Sequence, residues 1–440
     1  MKRVNNLRKR IISAICVVLC LSIILLAASC GADEFDEAYT APSISPQTLL
    51  PTASSTEATS AADNTAADTA TITQTAAPST TENGRGDSAT QRISFQYTGK
   101  IAQAHTIFVD AKELDGYNGM RDVTAKQIVL DMRVGINLSE YLDLGDTDIL
   151  NIEQYCKTLR INGIKSVRLP VRADNYLDEN YNISADFLKK IKKTADAIIN
   201  CGMYCIISLA QEEDMLLLDD MSFAQSRSVF VRIWEQLSDT FKKYNDYLLF
   251  EGLSDYNVDD DDITAAEYSN FNLLNDAFVS TVRSSGGNNE VRHIIVSTYG
   301  SSYESAALSR LNVPKDSADN KMIVDVHLSM PSGFVGVTQI DDKQWGTDAE
   351  KNTLDLQLYL IYYKMYMQAG FPVIIGKFGA ADKNNDDARA LYASFFVSTA
   401  YDYGMTCFWN DDGNAYKLFD RSTSEPLFRS IISSMVYSIQ

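Results

Sequence analysis

The sequence predicts an α/β protein, an eight-stranded parallel β/α barrel preceded by a signal peptide and a disordered stalk. Eight short apolar runs alternate with longer helical patterns over roughly 310 residues of the 440, which is the size of a β/α barrel. The alternative is a doubly wound open sheet, which would need a glycine-rich turn after an early strand. No such turn is present in the sequence, so the barrel is favoured.

The N-terminal segment predicts export and a lipid anchor. Basic residues precede an apolar run from Ile11 to Leu26, an arrangement typical of a signal peptide. The following Ala27-Ala28-Ser29-Cys30 resembles the lipobox of bacterial lipoproteins, although Leu is usual where Ala27 stands. We therefore expect a signal peptide over residues 1–29, lipidation of Cys30, and a location on the extracellular face of the bacterial membrane. A retained transmembrane anchor and an ordinary signal peptide are the alternatives.

Residues 30–92 are rich in Ala, Ser and Thr and contain few aromatic residues, so they cannot bury a core. This composition predicts a disordered stalk that holds the rest of the chain away from the membrane. Arg85-Gly86-Asp87-Ser88 spells an integrin-binding tetrapeptide, but such strings arise by chance in polar linkers. Residues 93–440 are predicted to form the barrel domain.

Charge and cysteine content limit the partners of this domain. The formal net charge is −19, and an acidic surface repels phosphate, so nucleic acid is not expected as a partner. After the signal segment and Cys30, the remaining cysteines are Cys156, Cys201, Cys205 and Cys407. Disulfides are possible, but Cys201 and Cys205 flank the start of a predicted strand and are expected to be buried thiols. No zinc spacing occurs, so we expect neither metal nor cofactor.

The predicted elements alternate along residues 93–440. Strands are predicted at Val134–Leu138, Ile164–Val171, Met203–Leu209, Tyr247–Leu253, His293–Thr298, Met322–Leu328, Phe371–Phe378 and Met405–Trp409. Helices are predicted at Ile149–Asn162, Ser184–Asn200, Phe223–Tyr244, Ala265–Ser284, Thr353–Gln368 and Asp386–Tyr403. Ser184 is a candidate N-cap, and Gly202 and Gly370 are candidate C-caps. Functional residues are expected at the C-terminal ends of the strands.

Several short sequence strings, most of them at these strand ends, resemble one known family. They are TAKQIVLDMRVGINL, VRLPV, YLLFEGLSDY, STVRSSGGNN, VDVHLSMP, VIIGKFGAADKNN, FWNDDG and LFDR, in this order. They resemble glycoside hydrolase family 5, in particular its clostridial endoglucanase-like members, from about Val123 to the C-terminus. The resemblance implies the same barrel fold and a β-glucan or related plant polysaccharide as ligand.

The resemblance also implies that the catalytic pair is altered. Retaining hydrolysis uses two carboxyl groups about 5 Å apart, one as nucleophile and one as acid and base. In the family both are Glu, at the ends of the fourth and seventh strands. Here the acid/base position is Asp255, which is one methylene shorter, and the nucleophile position is Lys377, whose ammonium cannot form a glycosyl ester. On facing strand ends, Asp255 and Lys377 are expected to form an ion pair.

The implied sugar-binding residues are only partly retained. Asn137, Arg168, His327 and Trp409 match the family, whereas Ser254 replaces the Asn that contacts the 2-hydroxyl. Further departures are Ala210 and Gln211 for a His pair, Ser329 for Tyr and Asn410 for Trp. Arg168 and His327 could instead serve buried hydrogen bonds, and Trp409 could belong to the core or form a sugar platform.

Other carboxylates leave alternatives open. A local shift could place Glu212, Glu213 or Glu251 in the catalytic site, and Asp259–Asp262 could be a solvated loop or a calcium site. The favoured function is a catalytically inactive, glycan-binding or scaffolding pseudoenzyme on the cell surface. The alternatives are an active or residually active endo-β-1,4-glucanase in polysaccharide catabolism and a protein–protein interaction module.

Overall fold

The structure is a computed structural model that describes residues 119–144, 151–210, 215–256, 263–337 and 342–440. Several predictions lie outside the described residues and stay predictions. They concern the signal peptide, Cys30, the stalk with its Arg85–Ser88 tetrapeptide, the start of the barrel domain near Ile93, Gln211, Glu212, Glu213 and the Asp259–Asp262 run.

Eight parallel strands close into a barrel in sequence order, with β1 pairing both β2 and β8. The strands are β1 Val134–Leu138, β2 Ser166–Arg172, β3 Tyr204–Ala210, β4 Leu248–Ser254, β5 Ile294–Ser302, β6 Met322–His327, β7 Val373–Phe378 and β8 Thr406–Asp411. Each predicted strand is confirmed, with end shifts of a few residues. The barrel is confirmed over the open doubly wound sheet because a closed sheet has no edge strands.

Helices separate the strands and cover the outside of the barrel. They are α1 Ala125–Met132, α2 Ile152–Ile161, α3 Ala185–Asn200, α4 Phe223–Phe241, α5 Ala265–Ser284, α6 Ser305–Arg310, α7 Ser332–Val335, α8 Asp348–Ile361, α9 Asp386–Asp402 and α10 Arg429–Tyr437. A π-helix, Tyr362–Gln368, continues α8. The six predicted helices are confirmed, but α8 begins five residues earlier than predicted because Thr347 and Glu350 form a capping box there.

Local signals set the helix ends as the sequence predicts. The Ser184 hydroxyl accepts a hydrogen bond from the Phe187 amide, which makes Ser184 the N-cap of α3. Gly202 and Gly370 have φ values of 71° and 86° just beyond their helices. Glycine adopts this left-handed backbone without a steric cost, so both residues end their helices.

The strands are buried on both faces, as expected for a parallel sheet enclosed by helices. All four cysteines of the barrel are free thiols, and the prediction that Cys201 is buried is wrong. Cys201 is half-buried because it lies at the C-terminal end of α3, outside β3, whereas Cys205 is buried within β3. None of the described helices has the length and apolar content needed to cross a bilayer.

Candidate functional site

Three side chains meet at the C-terminal mouth of the barrel. Lys377 lies on β7, His327 ends β6 and Asp255 follows β4 directly. One Asp255 oxygen, Oδ1, accepts a hydrogen bond from Lys377 Nζ at 3.1 Å and lies 3.2 Å from His327 Nδ1. The side chains are 34%, 12% and 23% exposed for Lys377, His327 and Asp255. The expected ion pair between Asp255 and Lys377 is therefore confirmed.

Asp255 is held as a carboxylate. Burial alone raises the pKa of Asp255, but Lys377, His327 and Arg168 together hold that pKa well below its ordinary value. Arg168 Nη1 approaches the second oxygen, Oδ2, at 3.7 Å. The backbone φ of Asp255 is 49°, in the left-handed region that few non-glycine residues adopt. Because its pKa is this low, Asp255 is ionised at any physiological pH.

His327 is held between two carboxylates. Its Nε2 lies 3.1 Å from Oδ2 of the fully buried Asp325, whose other oxygen accepts a hydrogen bond from the Gly376 amide at 2.9 Å. Burial lowers the pKa of His327, but Asp325 and Asp255 raise it above its ordinary value. The protonated imidazolium is thus the favoured form between these two acids.

Arg168 lies beneath the mouth and is fully buried. Its guanidinium forms a two-pronged ion pair with Glu251, with Nε and Nη2 at 2.7 and 2.8 Å from the two carboxylate oxygens. It also donates to Asn137 Oδ1 at 2.7 Å and to the hydroxyls of Ser208 and Ser254. Arg168 therefore satisfies buried hydrogen bonds, as one of the two interpretations of the sequence expects, and its contact with substrate stays a prediction.

Three further residues with predicted sugar contacts, Asn137, Ser254 and Trp409, are fully buried in this structure, and those contacts stay predictions. The Trp409 ring packs edge-on against Phe378, and its Nε1 donates to the Tyr416 carbonyl at 2.8 Å. Trp409 therefore packs within the core of the described structure. Of the predicted sugar-binding residues, His327 alone presents surface to the mouth.

Glu251 lies below the barrel mouth, where Arg168 engages it. It is fully buried, and both of its oxygens accept hydrogen bonds from Arg168. Burial raises the pKa of Glu251 to about 7, against the opposing effect of Arg168. A carboxylate enclosed in this way cannot reach an anomeric carbon.

Glu251, Asp325 and His327 place possible metal-ligand atoms within 4.8 Å of one another. A cation among them would face the Arg168 guanidinium, which already occupies both Glu251 oxygens. The cluster is better described as an ion-pair network of three acids and three bases, namely Glu251, Asp255, Asp325, Arg168, His327 and Lys377. With His327 protonated, the charges of this network cancel.

Asp325 is a site residue that the strand-end pattern of the sequence did not predict. Asp325 lies two residues before His327 on β6, so the two side chains lie on the same face of the strand, and this spacing was a signal that could have been used. Ser208 on β3 shares hydrogen bonds with Arg168 and Ser254.

A closed β/α barrel with ionisable groups at its strand ends is an architecture that glycoside hydrolases share with many other enzymes. The family model for cellulase (glycosyl hydrolase family 5) matches residues 133–415. The chain belongs to this family.

Curated relatives agree with this assignment. Endoglucanase B of Clostridium cellulovorans is 30% identical over 337 residues, which cover 72% of this chain and 76% of that protein. Cellulase/esterase CelE of Acetivibrio thermocellus is 30% identical over 336 residues, which cover 72% of this chain but only 41% of that longer protein. The chain is therefore similar to less than half of CelE.

Among solved structures, the chain is similar to a GH5-4 broad specificity endoglucanase from Ruminococcus champanellensis with bound cellotriose. The TM-score is 0.68 at 27% identity, and the match covers 72% of this chain and 99% of that one. The overall barrel is thus shared along nearly the whole of that enzyme.

Proposed function

We propose that this chain is a catalytically inactive family 5 barrel that binds neutral glycans at the cell surface. The observation that carries the proposal is the 3.1 Å ion pair between Lys377 and Asp255 at the position of the catalytic pair. Retaining hydrolysis needs a carboxylate to attack the anomeric carbon. The Lys377 ammonium cannot attack, and its positive charge opposes an oxocarbenium-like transition state.

Asp255 is also poorly suited to the second catalytic role, that of general acid. A general acid must hold a proton near the working pH and transfer it to the leaving oxygen. The pKa of Asp255 is far below its ordinary value, chiefly through Lys377 and His327 acting against burial. Asp255 therefore serves as an ion-pair partner, and an inverting mechanism would lack its acid as well.

The charge of the site favours a neutral ligand. The six-residue ion-pair network carries no net charge when His327 is protonated, while the whole chain carries −19. An anionic glycan would be repelled by the surrounding protein. A β-1,4-glucan fits these conditions, and the similar Ruminococcus champanellensis enzyme holds cellotriose. The partly exposed Lys377, Asp255 and His327 offer donors and acceptors to sugar hydroxyls.

Lipidation of Cys30 is proposed as the means of retention at the membrane. The basic segment, apolar run and small residues before Cys30 support it. Metabolic labelling with a fatty acid should tag the wild type, and Cys30→Ser should abolish the label and release or mislocalise the protein. Equal labelling of the Cys30→Ser variant would contradict the anchor without affecting the glycan-binding proposal.

The decisive experiment is reducing-sugar release from carboxymethylcellulose, lichenan, xyloglucan and mannan, beside retardation of the protein in gels that contain one of the three neutral polysaccharides, lichenan, xyloglucan or mannan. The wild type should be retarded and release no sugar. Release that persists in Asp255→Ala would mean that another pair of carboxylates is catalytic. Release that Asp255→Ala abolishes would mean that Asp255 still acts as an acid. If the wild type shows neither sugar release nor retardation, the result would favour a protein-binding module.

Reversion tests the same reasoning from the opposite side. Lys377→Glu alone should restore little activity, because the acid at Asp255 stays too short and Ser254 makes no sugar contact. A misplaced acid forfeits much of the 10²–10⁴-fold that general acid–base catalysis contributes. The triple variant Lys377→Glu, Asp255→Glu and Ser254→Asn is the smallest change expected to give measurable turnover. Full activity from Lys377→Glu alone would show that the remaining site is intact.

A further inference from the structure

The helix α8 and the π-helix that continues it carry apolar side chains on two faces. The inner face packs into the core through four buried residues, Leu354, Leu358, Ile361 and Met365. The outer face carries a second row of apolar residues, named the outer row below, which are Leu356, Leu360, Tyr363 and Met367. Their exposed fractions are 57%, 40%, 40% and 59%. A surface helix normally has charged and polar residues on its outer face, so the outer row needs an explanation.

The outer row has the features of a helix-packing surface. Its residues are spaced by four, three and four positions, which is the spacing of the a and d positions that meet a partner helix in a coiled coil. The exposed residues between positions 352 and 368 include no charged side chain, although the chain carries a net charge of −19. Tyr and Met, two of the residue types in the row, are enriched in protein interfaces. The outer row therefore suits an apolar helix as its partner.

The area of the outer row decides what kind of partner can cover it. At roughly 200 Å² for each whole residue, the four exposed fractions amount to about 400 Å². A stable interface between two separate proteins buries about 800 Å² on each partner. A second copy of the chain would also bring another net charge of −19, which opposes association. A segment of the same chain needs less area, because its covalent connection lowers the entropy cost of binding.

The chain contains such a segment immediately before the described residues. Residues 93–118 follow the stretch rich in Ala, Ser and Thr and end at Gly119. From position 101 to position 114 the apolar residues recur at helical spacing, as Ile101, Ala104, Ile107, Phe108, Ala111 and Leu114. This spacing predicts an amphipathic helix, and Asp115-Gly116 after it is a typical turn. The predicted helix is about 21 Å long and the outer row spans about 17 Å, so their lengths match.

The segment joins the barrel within reach of the outer row. Lys126 on α1 places its Nζ 4.2 Å from the ring centre of Tyr366, which is the neighbour of Met367 in the π-helix. Gly119 precedes Lys126 by seven residues, so at about 3.6 Å per residue the two lie no more than ~25 Å apart. Residues 93–118 can extend over ~90 Å by the same measure, and the segment can therefore reach the outer row.

We infer that the outer row is the docking surface for residues 101–114 of the same chain, which pack against Leu360 and its neighbours as an amphipathic helix. Docking fixes the end of the proposed stalk to one place on the outside of the barrel, and so limits the directions in which the mouth can face. No residue of the outer row belongs to the ion-pair network, so the inference does not depend on what the mouth binds.

The test is hydrogen exchange by mass spectrometry on the full-length chain in detergent micelles. In the wild type, the amides of residues 101–114 should exchange about tenfold or more slowly than those of residues 50–80 in the predicted stalk. Leu360→Asp should speed the exchange of residues 101–114 about tenfold or more, because it places a charge in the apolar contact. The matched control is Leu273→Asp on α5, where Leu273 is 44% exposed, and it should change that exchange by less than about twofold.

Three results would overturn the inference. The first is exchange of residues 101–114 in the wild type that is as fast as that of residues 50–80. The second is protection that Leu360→Asp leaves unchanged, because the segment then packs elsewhere. The third is a dimer that forms in cross-linking at rising protein concentration and that Leu360→Asp abolishes, because a second copy then covers the outer row. Leu356→Asp repeats the test at a second residue, and it replaces Leu360→Asp if that variant lowers the protection of the barrel strands.

Discussion

Replacing Lys377 by methionine should destabilise the barrel by about 1–3 kcal/mol, because it leaves the Asp255 carboxylate with one cation fewer in a confined site. At 3.1 Å and an effective dielectric constant of 20, the attraction between the two charges is about 5 kcal/mol. Most of it is offset by the hydration that both groups lose. The two side chains are partly exposed, and His327 and Arg168 remain beside Asp255, so the net loss falls below the 3–5 kcal/mol of a fully buried pair.

The assay is a double-mutant cycle in urea, with Lys377→Met, Asp255→Asn and the double variant. The double variant should regain part of the loss, because neither charge is then left without its partner. The coupling free energy should be about 1–2 kcal/mol, between the values of exposed and buried pairs. Lys364→Met is the matched control, since Lys364 is also half-buried but makes no ion pair with a described residue. A coupling below about 0.3 kcal/mol would refute the reasoning, because it is the value of a solvated pair.

The remaining predictions concern pH, packing and thiols. Asp325 and Asp255 outweigh burial and raise the pKa of His327. The contribution of protonated His327 to the stability of the fold is therefore complete below its unfolded pKa of about 6.5, and it is lost as the pH rises through its folded pKa. The wild type should therefore lose urea stability relative to His327→Gln above pH 6.5, and a constant difference up to pH 9 would contradict this. Gly376→Ala places a Cβ 2.2 Å from Asp325 Oδ1 and should cost about 1–3 kcal/mol, more than Gly252→Ala, whose Cβ meets a ring at 3.1 Å. Equal urea midpoints for the Gly376→Ala and Gly252→Ala variants would contradict this packing argument. Iodoacetamide should alkylate half-buried Cys201 before the buried barrel thiols, as peptide mass spectrometry can show.

The sequence by itself determined the barrel. Strands that are buried on both faces appear as continuous apolar runs, and their alternation with amphipathic helices is a local signal that survives without coordinates. Helix ends depend on single residues such as Ser184 and Gly202, whose effects act within a few positions. The proposal that Lys377 stands where the family has its catalytic Glu rests on the strings around it, which resemble the family. The chemistry of an ammonium follows from its residue type alone.

Only the tertiary structure decided how deeply the residues at family positions are buried. Arg168, Asn137, Ser254 and Trp409 keep or occupy family positions, yet all four are fully buried. Burial of a side chain depends on neighbours from several strands, and these are far apart in sequence, as with Arg168 and Glu251, which are 83 positions apart. The same holds for Asp325, whose importance arises from contacts with His327 and Gly376 across two strands. Sequence patterns report which face of a strand a residue occupies, but the depth at which it lies in a closed barrel depends on strands and loops that the local pattern does not contain.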